Sequence, residues 1–152
     1  MVWKPHVTVA AVIEKEHKFL LVEEQTNNGI AFNQPAGHLE NGESIIAAVK
    51  REVNEETAWQ FEPAYIIAIQ LWRKDPESPS FLRVSFAGKV HSLAADQPLD
   101  EGIIATHWFS REQIAAKQAQ LRSPLILNTI DAYLNGEHYP LSLLKSYLDL
   151  SY

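Results

Sequence analysis

The stretch from Gly37 to Trp59 constrains this chain more than any other. It opens as a loop holding Gly37, Asn41 and Gly42, and passes at about Ser44 into a helical pattern ending near Thr57. Ile46, Val49 and Val53 recur at helical spacing and give that helix a face to bury. Beside that face stand Glu52, Glu55 and Glu56, spaced i, i+3 and i+4, so their side chains converge on one patch. On a helical wheel Lys50 and Arg51 project away from them.

Such a patch is electrostatically unfavourable on a bare helix. Like charges at Glu52 and Glu56 cost roughly 0.2–0.5 kcal/mol. All three acids also lie in the last turns, where the helix dipole favours cations. A bound cation is the simplest missing partner, and oxygen ligands without Cys select Mg²⁺, with Mn²⁺ as a substitute, over zinc. Three acids on a helix are more often a solvated face, so the choice rests on what surrounds them.

The surroundings decide it. Gly37, five residues, Glu43, seven residues, then Arg51-Glu52-Val53-Asn54-Glu55-Glu56-Thr57-Ala58-Trp59 resembles the Nudix box. That loop-helix signature marks hydrolases of nucleoside diphosphates linked to another moiety. Every charged position is filled at the right spacing. One position departs: Ala58 stands where the family has Gly, and a left-handed Ala after the helix costs about 1 kcal/mol. Five further stretches widen the resemblance, Lys4 to Ala10, Asn33 to Glu40, Phe81 to Arg83, Leu121 to Leu125 and Tyr139 to Leu141. Together they look like the NudJ-type subgroup of the family.

The resemblance implies an α/β fold, a Nudix-type α/β/α sandwich with a mixed sheet. It implies metal binding by Glu52, Glu55, Glu56 and the Gly37 carbonyl, and a brace between Glu43 and Arg51. It places a catalytic carboxylate in the loop holding Asp100 and Glu101, and leaves Glu52, Glu55 and Glu101 all open as the base. For the subgroup it implies a broad phosphatase acting on nucleoside tri- and diphosphates and on hydroxymethylpyrimidine diphosphate, with release of inorganic phosphate. Pyrophosphate release, or a Nudix-fold sensor without turnover, are the competing readings.

At 152 residues the chain fits one domain, residues 1–152, that buries about two thirds of its unfolded surface. The net charge of −6 argues against nucleic acid as a partner. Residues 37–59 hold Glu40, Glu43, Glu52, Glu55 and Glu56 against Lys50 and Arg51, a balance of −3. A phosphorylated small molecule can approach such a site only with metal ions inverting the local field. Absence of Cys excludes disulfides, thiolate zinc sites and Cys nucleophiles. No apolar run is long enough to span a bilayer, which takes about 20 residues, and the first residues lack a signal-peptide pattern. A soluble cytoplasmic protein, plausibly a monomer, is the expectation.

Along the chain, Val7 to Ile13 and Lys18 to Glu23 read as a hairpin, with a turn at Asn27-Asn28-Gly29. Ala64 to Arg73 and Phe81 to Val90 read as strands, and an acidic loop from Asp96 to Gly102 precedes a short strand ending at Trp108-Phe109. Ser110 and Gln113 form a capping box for a second helix reaching Leu121; Pro124 opens a third through Leu134. Leu141 to Leu150 is an amphipathic tail expected on the core.

Three partial motifs fail on chemistry. Gly37-x₄-Gly42-Glu43-Ser44 has P-loop spacing but an acid in place of the phosphate-binding Lys. Ser44 lacks the closing Gly of a nucleophile elbow. His38-Leu39-Glu40 echoes a zinc deaminase without its Cys ligands. Arg83, alternating on a strand with Leu82 and Val84, suits a terminal phosphate, and Arg73 is a weaker choice. Phe32 and Trp72 are the aromatics able to stack a heterocycle. The six His residues show no partner in sequence and read as structural or exposed.

Overall fold

A computed structural model describes residues 1–151. Seven strands and three helices follow in order: β1 His6–Lys15, β2 Lys18–Thr26, β3 Gly29–Asn33, β4 Ala36–His38, α1 Ile45–Thr57, β5 Gln60–Trp72, β6 Phe81–His91, β7 Ile103–Phe109, α2 Arg111–Ala116 and α3 Leu125–Leu134. Single 3₁₀ turns lie at Gln118–Gln120 and Leu141–Leu143.

The sheet forks, and the fork makes the site. β1 and β2 meet through a two-residue turn in which Glu16 and His17 both take positive φ, as a tight hairpin demands. Pairing between them stops after Glu14↔Phe19 and Lys15↔Lys18. Further along, β4 takes that edge of β1, with Thr8 opposite His38 and Ala10 opposite Ala36. β2 departs with β3 on one side and β7 on the other. β6 runs parallel to β1 from His6↔Phe81 to Ile13↔Gly88 and pairs antiparallel with β5, so the sheet is mixed.

Strand alternation builds two cores. Val9, Ala11 and Ile13 of β1, with Leu20 of β2, pack on Ala48, Val49 and Val53 of α1. Val12, Phe19 and Leu21 point the other way, onto Ile114 of α2 and Ile126 and Ile130 of α3. Helices therefore cover both faces, the α/β/α arrangement expected.

Local chemistry explains the ends of α1. Ser44 Oγ accepts from the Ala47 N–H at the start. At the finish Ala58 sits left-handed, φ 64°, with its N–H on the Asn54 carbonyl. Three expectations need correction. β3 and β4 went unseen, being short and separated by Pro35. The helix after Ser110 ends at Ala116, because Leu121 bridges to Phe32 and the Arg122 N–H donates to the Phe32 carbonyl, pulling the chain out of the helical path. Of the tail, only Leu141 and Leu144 pack on the core; Tyr147, Leu148 and Leu150 are exposed.

Candidate active site

Carboxylate oxygens of Glu52, Glu55 and Asp100 lie within 4.8 Å of one another. α1 supplies the first two. The third comes from the loop between β6 and β7, where the Asp100 N–H donates to the Glu55 carbonyl at 2.9 Å. β4 closes the fourth side: a Cβ on Gly37 would fall 2.1 Å from the Glu52 carboxyl carbon. A side chain there would displace the Glu52 carboxylate, and the Gly37 backbone is what faces the acids.

Arg51 departs from its wheel position. It grips Glu43 through two hydrogen bonds, Nη2 to Oε1 at 2.7 Å and Nε to Oε2 at 3.0 Å, and donates from Nη2 to the His38 carbonyl. Its Nη1 curls back onto Glu52 at 2.8 Å and Glu55 at 3.1 Å. The guanidinium thus supplies countercharge to the cluster while tying loop, β4 and helix together. Its own pKa rises, chiefly through Glu43, and the same hydrogen bond holds the Glu43 carboxyl below its usual range.

Glu56, expected with Glu52 and Glu55 as a metal ligand, stands outside the group those two form with Asp100. It is buried and accepts the Ala36 N–H at 2.8 Å. Burial pushes its pKa up to about 8, with Glu52, Glu24 and Asp100 adding and the Ala36 bond opposing. Burial also raises Glu52, against its hydrogen bond to Arg51.

Next to this cluster the fork opens into a cleft of about 330 Å³. Its lining draws on β1 and β4 through Thr8, Gly37 and His38, on β2 and β3 through Glu24 and Asn33, on Arg122 and Ser123, and on Trp72, Phe81 and Arg83. Arg83 is 7% exposed, its guanidinium 3.4 Å from Gln34 Oε1. Burial lowers its pKa to about 10, against the pull of Glu56 and Glu24. Glu24 Oε1, Asn33 Oδ1 and Gln34 Nε2 are buried without a hydrogen-bond partner, although Glu24 Oε1 stands 3.4 Å from Arg122. Glu24 and Asn33 bring polar groups to the cleft lining, and Gln34 lies outside it.

Several expected residues therefore meet and others do not. Gly37, Glu52, Glu55, Asp100, Arg51 and Glu43 converge; Trp72 and Arg83 line the cleft. Phe32 does not: it sits in the core against Phe109 and His107, with Lys117 over its ring. Arg73 is exposed beyond the end of β5, outside the lining. Glu101 is exposed and outside the acid cluster, where its neighbour Asp100 stands instead. Sequence reasoning missed Glu24, Asn33, His38, Phe81 and Arg122 as cleft residues. It also missed the His partners: the His6 and His38 rings lie 5.3 Å apart at the cleft lip, and His107 Nε2 is 2.8 Å from Glu23.

A loop-helix carboxylate cluster, braced by an arginine and set beside a forked mixed sheet, defines the Nudix class of hydrolase. The chain belongs to that family: the NUDIX domain profile matches residues 4–128. It is 41% identical over 145 residues to the phosphatase NudJ of Escherichia coli, a match covering 95% of this chain and 94% of the relative; the phosphatase NudJ of Shigella boydii matches equally. A solved NUDIX hydrolase from Nitrosomonas europaea is 49% identical and superposes with a TM-score of 0.92, covering 95% of this chain and 98% of that one. The chain is a Nudix hydrolase, an enzyme acting on small molecules. Family members generally use a divalent metal. The all-oxygen donor set and the bare Gly37 backbone fit one. No helix among the described residues is long and apolar enough to cross a membrane.

Proposed function

We propose that this enzyme hydrolyses phosphoanhydride bonds in nucleoside tri- and diphosphates and in small organic diphosphates such as hydroxymethylpyrimidine diphosphate, releasing inorganic phosphate. Mg²⁺, or Mn²⁺ in its place, is held by Glu52, Glu55, Asp100 and the Gly37 carbonyl. The observation that carries this reading is the convergence of three carboxylates on a glycine that lines a cleft together with a buried arginine. When bound, the ion neutralises phosphoryl oxygens and acidifies water.

The chain supplies the rest. Arg83 is already desolvated, so its attraction for a phosphoryl oxygen is strong and fixed in direction. Trp72 and Phe81, with ring centroids 6.1 Å apart, offer an aromatic shelf for a planar group. Arg51 stays anchored by Glu43 and can yield Glu52 and Glu55 to the ion without leaving the site. A proton acceptor for the attacking water is then Glu52 or Glu55, the acids of the cluster; Glu101 stands outside it. Glu56 keeps β4 in place through Ala36 and, above about pH 8, adds charge beside Arg83.

Initial rates of phosphate and pyrophosphate release from a panel of nucleoside tri- and diphosphates and organic diphosphates, with and without Mg²⁺, test the reading. Metal-dependent phosphate is expected; pyrophosphate from triphosphates, or no product at all, contradicts it. Glu56→Gln keeps the acceptor for Ala36 but removes the ionisable carboxyl, and above about pH 8, where Glu56 is charged, it is expected to lower the rate at least about 100-fold, the scale of losing an electrostatic stabiliser. Unchanged rates in that variant would remove Glu56 from the machinery.

A further inference from the structure

Asp100 is the one carboxylate of the cluster that α1 does not carry, so something must hold its loop against the helix. Three contacts do so. The Ala94 N–H donates to the Ala58 carbonyl at 3.0 Å, and the Asp100 N–H donates to the Glu55 carbonyl at 2.9 Å. Between them Gln97 Nε2 donates to the Asn54 carbonyl at 3.0 Å and to Asn54 Oδ1 at 3.3 Å. Asn54 in turn donates from Nδ2 to the Trp59 carbonyl across the left-handed exit at Ala58. Gln97 is half-buried in a loop whose other residues from Ser92 to Asp96 are exposed. It is the only side chain of that loop that hydrogen-bonds to α1 among the described residues.

We propose that Gln97 is a positioning residue: locked onto Asn54, it sets the Asp100 carboxylate where the ion held by Glu52 and Glu55 requires a further oxygen. The inference rests on the proposed role of Asp100 as a ligand. Two residues, Pro98 and Leu99, separate the lock from the ligand, and Pro98 stiffens the first step. Freed of the lock, the loop keeps its backbone bonds at Ala94 and Asp100 but loses the side-chain tie between them. Asp100 then samples positions away from the cluster. Partners that orient metal ligands are typically worth about 10–100-fold in metal affinity.

The test is a Mn²⁺ titration of the full chain, reading free ion by electron paramagnetic resonance. Wild type, Gln97→Met, Asp100→Asn and the double variant are compared, with KM for a diphosphate measured at saturating Mn²⁺. Gln97→Met is expected to weaken Mn²⁺ binding about tenfold or more while KM stays as in wild type. Because Gln97 acts only through Asp100, the double variant is expected to bind no more weakly than Asp100→Asn alone. Gln97→Lys keeps a donor of similar reach and is expected to bind as wild type; it also answers if the Met variant fails to fold. Wild-type affinity in Gln97→Met would overturn the proposal, as would an equal further loss on the Asp100→Asn background. Wild-type affinity in Asp100→Asn would remove the ligand itself. Absence of Mn²⁺ binding by wild type would overturn the metal reading rather than the positioning role.

Discussion

Glu56 shows how one residue can serve activity and resist stability. Its folded pKa of about 8 lies above the ordinary 4.5, so between these values the folded chain holds a proton that the unfolded chain has released. That contribution to stability is complete below about pH 4.5 and is lost as pH rises through about 8. In chelator, the wild type is expected to lose thermal stability across that window relative to Glu56→Gln, and the variant to be the more stable at pH 8. Melting curves of both proteins at pH 5 and pH 8 check this. An unchanged difference between the two pH values would contradict the burial of an unpaired carboxylate. Ala58 carries a different balance. Glycine there would relieve about 1 kcal/mol of left-handed strain, but the Ala58 methyl is buried and its loss costs about 0.8 kcal/mol. Ala58→Gly is therefore expected to shift stability by less than about 1 kcal/mol in urea denaturation. The family departure at this position is nearly neutral, and the exit loop keeps its geometry with Ala in place.

At the scale of elements, the three-residue strand β4 matters more than its length suggests. It pairs with β1, receives Glu56 at Ala36, presents Gly37 to Glu52, and offers the His38 carbonyl to Arg51. A methyl at Gly37 meets the far end of a flexible side chain, so Glu52 can swing aside and the fold survives. Gly37→Ala is expected to cost at least about 100-fold in rate, with the melting temperature changed by a few degrees at most. Wild-type rates would show that the close approach of β4 to Glu52 is incidental. Gly88 is the opposite case. A methyl there lies 2.2 Å from the Glu62 carbonyl and 2.8 Å from the Phe61 ring, where β5 bulges against β6. Backbone cannot swing aside, so Gly88→Ala is expected to destabilise by about 2 kcal/mol or more, read from the denaturant midpoint.

For the whole molecule, legibility followed chemistry that is local in sequence. The Glu43–Arg51 pair came from the family resemblance, while the ends of α1, the cap at Ser110, β6 and β5 from Ala64 onward follow from spacing within a few residues and were readable. The fork was not. Two strands that look like a long hairpin separate after two residue pairs because β4 takes that edge of β1, which is a tertiary outcome. Phe32 shows the consequence. Its alternation on β3 sends it into the core between β2 and α2, while its neighbour Asn33 reaches the cleft. Asp100 and Glu101 are adjacent acids that sequence could not rank. The hydrogen bond from Asp100 to Glu55 ranks them, since it turns one carboxylate to the helix. Arg51 was misplaced because a helical wheel ignores a long side chain folding back along the axis.

Everything in this account depends on the acids of α1 and Asp100 gathering a divalent ion beside the cleft. Crystals grown with Mn²⁺ and measured for anomalous scattering at the manganese edge test that most directly. A peak is expected among Glu52, Glu55, Asp100 and the Gly37 carbonyl, with Arg51 retaining Glu43 and releasing the other two carboxylates. An active preparation whose crystals show no peak there, with Arg51 still bonded to Glu52 and Glu55, would contradict it.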